Sequence, residues 1–185
     1  NARRKQSGTV LWWFKEWLDK VGHDKAMLVM HTDAQDPHGQ DLPHLIQHLG
    51  LQGEVLLSTQ KVSPADLAAF YRAADYTINI SDAEGFGLAT LESLACGSPI
   101  IVNMTGGLQE QVTDGKNWFG WGIKPSSKSV IGSLQVPYIY EDRISQADFE
   151  NCLNKALKLT KKKYEAMSKA GRQHVLDNYN FENYE

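Results

Sequence analysis

The sequence is poor in cysteine. Its two residues, Cys96 and Cys152, are too far apart for a metal or redox motif, and they read as small core fillers in a reducing compartment. No apolar run approaches the roughly 18 residues that a spanning helix needs. The start, NARRKQSG, lacks the apolar segment of a secretory leader. Excess positive charge is also missing: 19 Lys and Arg stand against 22 Asp and Glu, a net charge of −3, which argues against a chain-wide nucleic-acid footprint. Any anion site is therefore local. There is no Walker A pattern, no Asp-x-Asp, no three-glycine dinucleotide fingerprint and no internal repeat. No strand precedes the basic cluster, an odd opening that suggests an excerpt from something longer.

What is present is ordinary for a globular chain: 185 residues, 42% apolar and 22% charged. The expected organisation is one domain over 1–185, with 146–185 as closing helices. Val10, Trp13, Phe14, Trp17, Leu18 and Val21 fall at helical spacing. AMLVMH (26–31) reads as a strand buried on both faces, 41–51 as a helix stopped by Gly50, and EVLLS (54–58) as a strand. Ser63, Pro64 and Asp66 open another helix. YTINI (76–80) is a strand, a helix ends near Gly97, and SPIIV (98–102) is the next strand. Residues 124–143 read as a long loop, possible irregular strand included, and helices close the chain over 146–159 and 161–178. Such alternation predicts an α/β fold: a Rossmann-like parallel sheet with helices on both faces, its first strand absent or outside the chain. Ligands of such sheets sit beyond the carboxyl ends of the strands, which nominates 31–40, 58–63, 81–88 and 103–110.

One of those loops opens EGFGLATLE (84–92), with two carboxylates eight positions apart around a pair of glycines. Gly85 and Gly87 at a strand-to-helix turn let a ligand approach the backbone. The first free N–H groups of the helix favour phosphate. Leu88, Leu91 and Ala95 are expected to form its packed stripe, leaving Glu92 partly desolvated beside it and in need of a donor such as a ribose diol. Glu84 would face the same cleft. Spacing alone serves equally well for a surface loop acid and a solvated helix position.

SDAEGFGLATLESLACGSPIIV followed by TGGLQEQVTDGKNW resembles the signature of retaining glycosyltransferases of family four, of GT-B architecture: an acid, seven residues, an acid, after a strand and Ser81. The resemblance runs from the basic start to about residue 179. It implies the C-terminal, donor-binding half of a two-domain enzyme. Glu84 would contact the donor sugar and Glu92 the ribose, with backbone groups around Gly87 and Leu88 near the distal phosphate and Gly85 and Phe86 also in the donor site. Lys5 matches the lysine that clamps the diphosphate, with Arg4 or Arg3 beside it, and Lys5 and Glu84 stand as the catalytic candidates. Gln60, Lys61 and Val62 fall where the family reads the base. The implied donor is an NDP-sugar, with no cofactor and no metal. The implied partners are that donor and a missing N-terminal acceptor domain; no nucleic acid and no transmembrane segment are expected, while peripheral membrane contact is allowed, and the location is cytoplasmic. The alternatives are a nicotinamide-dependent oxidoreductase and a non-catalytic nucleotide-binding module.

Three further features compete for attention. Residues 31–48 hold four histidines and three aspartates, read as a polar loop ahead of a metal site. Trp13 and Trp17 belong to the core stripe, whereas Trp12 lies off it. Lys158, Lys161, Lys162 and Lys163 form a solvated or weakly membrane-facing cluster.

Overall fold

The computed structural model describes residues 1–180, so the last five residues of the 146–185 segment lie outside the described residues. It divides into two compact units, Asn1–Val62 and Ser63 onward.

The first unit opens with a short 3-10 turn, Arg3–Lys5, and then α1 (Ser7–Val21). Helix α1 buries Val10, Leu11, Phe14, Trp17 and Leu18, the stripe its spacing dictates, while Trp12 is half exposed and donates its Nε1 proton to Glu16 at 2.7 Å. It packs on α2 (Leu42–Leu49), which Asp41 caps by accepting from the His44 N–H and which Gly50 ends in the left-handed conformation. Strands β1 (Leu28–His31) and β2 (Val55–Ser58) pair in parallel. Burial along β1 alternates instead of being continuous, and Val29 is 43% exposed. The expectation of burial on both faces is therefore corrected: one face of β1, with Val29, is open to solvent.

The second unit carries α3 (Pro64–Ala73), β3 (Thr77–Asn79), α4 (Leu88–Ala95), β4 (Ile100–Asn103), α5 (Leu108–Val112) and β5 (Gly120–Ile123). Strands β3, β4 and β5 form one parallel sheet in that order. All of β4 is buried, as a central apolar strand must be. Ser63 caps α3 by accepting from the Asp66 N–H at 3.2 Å. Residues 124–143, expected as a loop, instead form an antiparallel hairpin of β6 (Ser127–Ile131) and β7 (Ile139–Arg143). Scattered serines, glycine and proline there mask a short alternating pattern. The closing helices are α6 (Gln146–Leu157) and α7 (Lys161–Asn178). Leu94, Ile100, Val102, Leu108, Val112, Phe119 and Val175 make the core of this unit. Gly171 lets α7 approach it, since a Cβ there would lie 2.8 Å from Leu94 Cδ2.

In the first unit His23 bridges two carboxylates, its Nε2 3.1 Å from Asp19 Oδ1 and its Nδ1 2.7 Å from Glu54 Oε1. Hydrogen bonding to Asp19, and then to Glu54, raises the imidazole above its ordinary value. The bridge therefore stabilises the fold fully below the unfolded histidine value of about 6.5 and is lost as pH rises through the higher folded value. We expect an NMR titration to place His23 above an ordinary histidine, and His23→Gln to flatten stability against pH in that window.

Candidate functional site

The candidate site in the second unit begins where β3 ends. Ile80, Ser81 and Asp82 are buried and set the course of the loop that follows. Asn79 Oδ1 accepts from both the N–H and the hydroxyl of Ser81, at 3.1 and 2.6 Å. Asn103, at the end of β4, donates its amide to Ser81 O at 2.9 Å and to Asp142 O at 2.7 Å. The carboxyl ends of β3 and β4 are thus tied together and to the hairpin.

Loop 84–87 lies against the turn at Thr105–Gly107. The Gly107 N–H donates to Glu84 O at 3.3 Å and to Gly85 O at 3.1 Å. A Cβ on Gly106 would fall 1.8 Å from Glu84 O, and one on Gly107 2.7 Å from Gly85 O. Gly107 N-caps α5. Gly87, at φ +85, N-caps α4, and its Cβ would strike Leu108 at 2.6 Å. Thr90 Oγ1 lies 2.8 Å from Gly87 O and 2.7 Å from Gln111 Oε1, and the Gln111 amide donates to Phe86 O at 2.6 Å. No side chain caps α4, in contrast to α2, α3 and α6. Its first turn, with exposed Leu88 and Ala89, keeps N–H groups at the positive end of a helix on the surface.

The buried face of α4 is Thr90, Ser93 and Leu94, with Leu91 packed on the core. Leu88 and Ala95 are exposed, so the expected Leu88–Leu91–Ala95 stripe is corrected. Positions 90 and 94 face the core, and the polar Thr90 and Ser93 disguise this by bonding to Gln111, Thr77 and Ser98. Glu92 is accordingly exposed, not partly desolvated, and its Oε2 accepts the Tyr71 hydroxyl at 3.0 Å. Burial, together with that acceptor, pushes the Tyr71 phenol far up, so it remains a neutral donor to Glu92. Glu84 is half-buried; Gly85 is exposed, with open space where a Cβ would stand. Phe86 meets Tyr179 edge-on at 6.0 Å.

In the first unit, Arg4 is exposed and Lys5 half-buried in the 3-10 turn before α1. Gln6 between them and the helix has φ 58, the one non-glycine residue with positive φ in the chain's described part. Gln60, Lys61 and Val62 follow β2, with Gln60 and Lys61 exposed. In the 31–48 loop the aspartates serve backbone N–H groups: Asp33 that of Gln35, Asp36 that of His38 and Asp41 that of His44. Among the described residues no cluster suited to a metal ion occurs.

The residues missed from the sequence come from the hairpin. Thr105 donates to Asp142 Oδ2 at 2.9 Å, the Asp142 N–H donates to Asp82 O at 2.8 Å, and Arg143 Nη2 donates to buried Glu141 at 3.0 Å. Arg143 Nε also stands 3.9 Å from Asp82. The one available signal was the charged triplet Glu141–Asp142–Arg143 after twelve uncharged residues.

A parallel sheet flanked by helices, with loops gathered at the carboxyl ends of its strands, defines an α/β class whose ligands bind on that rim. Residues 18–174 match the family described as "Glycosyl transferases group 1", and the chain belongs to that family. It is 38% identical over 76 residues to the D-inositol 3-phosphate glycosyltransferase of Paenarthrobacter aurescens, which covers 41% of this chain and 18% of that protein. The sucrose-phosphate synthase structure from Thermosynechococcus elongatus superposes with a TM-score of 0.70 at 24% identity, over 97% of this chain and 39% of that one. Anabaena HepE, solved with UDP-glucose, gives 0.65 at 19% identity, over 93% and 41%. The fold is thus that of GT-B glycosyltransferase domains, and the chain spans less than half the length of each of these relatives. The oxidoreductase alternative finds no support in a transferase family match.

Gly106→Ala is expected to destabilise the protein by about 2 kcal/mol or more, because its Cβ meets the Glu84 carbonyl and its backbone is left-handed. Gly85→Ala should stay within about 0.5 kcal/mol of wild type. Urea unfolding midpoints of the two variants test the contrast.

Proposed function

We propose that this chain is the donor-binding domain, spanning 1–185, of a retaining family-four glycosyltransferase that moves a sugar from an NDP-sugar to an acceptor held by a further, N-terminal domain. The observation that carries the reading is the uncapped start of α4, which half-buried Glu84 and exposed Gly85 precede in the chain and exposed Glu92 follows within the helix. Helix N–H groups suit the diphosphate, and each acid suits a set of sugar hydroxyls. In this reading Glu84 binds the transferred sugar and Glu92 the ribose, with Gly87 and Leu88 near the distal phosphate and Gly85 and Phe86 also lining the donor site. Arg4 and Lys5 bind the diphosphate, and Gln60, Lys61 and Val62 read the base through backbone groups. Lys5 also acts chemically, because the leaving diphosphate gains negative charge as the glycosidic bond breaks. Transfer proceeds by front-face attack, the departing phosphate helping to take the acceptor proton, so no nucleophile, metal or cofactor is required of the protein. The enzyme works in the cytoplasm, and this chain alone transfers nothing.

UDP is the first nucleotide to test, since HepE was solved with UDP-glucose. Calorimetric titration with UDP, GDP and ADP should show weak binding of one of them. Glu92→Gln and Gly85→Ala should each weaken it about tenfold, the first by removing a charged acceptor and the second by a methyl group at the approach to the phosphate. Silence with all three from folded protein overturns the reading. Sugar transfer by the isolated chain overturns the need for a second domain.

A further inference from the structure

The β6–β7 hairpin divides sharply along its length. Its three basal rungs, Ser127–Arg143, Lys128–Asp142 and Ser129–Glu141, carry all of its charges. These rungs are fixed to the carboxyl rim by Asn103, Thr105 and Asp82. Beyond them, from Val130 through Tyr140, there is no charged residue. The apolar side chains of this outer part lie in water: Leu134 is 100% exposed at the tip, Val130 63%, Tyr138 62% and Tyr140 59%. A two-stranded ribbon is marginal in water, and sheet edges are normally blunted by charge. Here, among the described residues, no third strand pairs with the outer part, and its own sequence carries no charge.

The order of chemistry along the hairpin selects its occupant. The tip holds Leu134 and Val136, next come the paired rings of Tyr138 and Tyr140 at 6.0 Å, and behind them Lys128 lies 5.8 Å over the Tyr140 ring. Apolar tip, tyrosine belt and cation repeat the layers of a bilayer surface: hydrocarbon, interface and anionic headgroup. Four to five residues of strand and turn reach roughly 13 Å, enough to cross the headgroup layer and touch the acyl chains. We propose that this hairpin is a membrane-docking finger that inserts Leu134 and Val136 into an anionic phospholipid leaflet and sets Lys128 against its phosphates. The inference needs no nucleotide and stands apart from the donor reading. The lysines around Lys161 belong to another surface: the Tyr164 hydroxyl bonds to Asp75 O, which puts the start of α7 at the amino ends of the strands whose carboxyl ends hold the hairpin.

The test is co-sedimentation of the 185-residue chain with vesicles of phosphatidylcholine, with and without phosphatidylglycerol. Wild type should sediment with the anionic vesicles and less with the neutral ones. The double variant Leu134→Glu, Val136→Glu should lose at least about tenfold in partitioning, since two apolar insertions are removed. Lys128→Gln should reduce the difference between the two vesicle types. Circular dichroism and nucleotide titration, both unchanged in the double variant, separate this result from unfolding and from the donor site. Absence of vesicle binding by wild type, or equal binding by the double variant, overturns the proposal. So does a wild-type dimer that the double variant turns into a monomer without any vesicle binding, which would assign the tip to a second copy.

Discussion

The candidate site depends on one close approach of backbone to backbone, Gly106 and Gly107 against the carbonyls of Glu84 and Gly85. Side chains there are excluded by distance alone, so the turn after β4 and the loop after β3 share a boundary with no room for adjustment. That boundary fixes the left-handed Gly87, and with it the direction in which α4 leaves. The Gln111 amide then fastens Phe86 O from α5, while Thr90 and Gln111 satisfy each other in the buried space between the helices. Two helix starts are held side by side by polar groups that are all engaged. Such a network rigidifies only when complete.

The alternation of apolar runs made the parallel sheet and most helices legible, because central strands and capped helices write their own spacing. Ser63 with Asp66 and Asp41 before α2 are read in the local chain. The hairpin was not legible. Its anchors, Asp82, Asn103 and Thr105, lie far away in sequence, and scattered serines, glycine and proline mask the short alternation of its strands. The α4 stripe was misassigned for a related reason: its buried face contains Thr90 and Ser93, whose partners become visible only in three dimensions. In the candidate site, the acids and glycines stand out by spacing. The Tyr71 donor on Glu92 leaves no such mark, being 21 residues away on another helix.

The hairpin base shows how acids can be crowded on one rim without mutual expulsion. Asp82 and Glu141 are almost wholly buried, and buried charge demands partners. Arg143 serves both, at 3.9 and 3.0 Å, while Asp142 takes the Thr105 hydroxyl and lies 3.4 Å from Lys128. Three carboxylates are thus bound into structure, one of them, Asp82, two residues from Glu84. The hairpin supplies the cations, Lys128 and Arg143, and the Asp142 N–H ties it to Asp82 O, two residues before Glu84.

Helix α7 completes the support from the far side, against its own local preferences. Its first turn holds Lys161, Lys162 and Lys163 at the positive end of the dipole, and Thr160 makes no side-chain cap. Tertiary contacts must therefore hold it: Tyr164 on Asp75 at one end, Gly171 and Val175 on Leu94 and Phe119 in the middle. Eighteen residues of helix reach about 27 Å, across the sheet from the amino ends of its strands toward the carboxyl rim. His174 stacks on Phe119 at 4.4 Å, and Tyr179 meets both His174 and Phe86 edge-on. The aromatic chain links the seating of α7 to Phe86, between the two glycines of the loop. A helix with a poor start is thereby fixed by the core it covers, and its far end reaches the loop between the two acids through Tyr179 and Phe86.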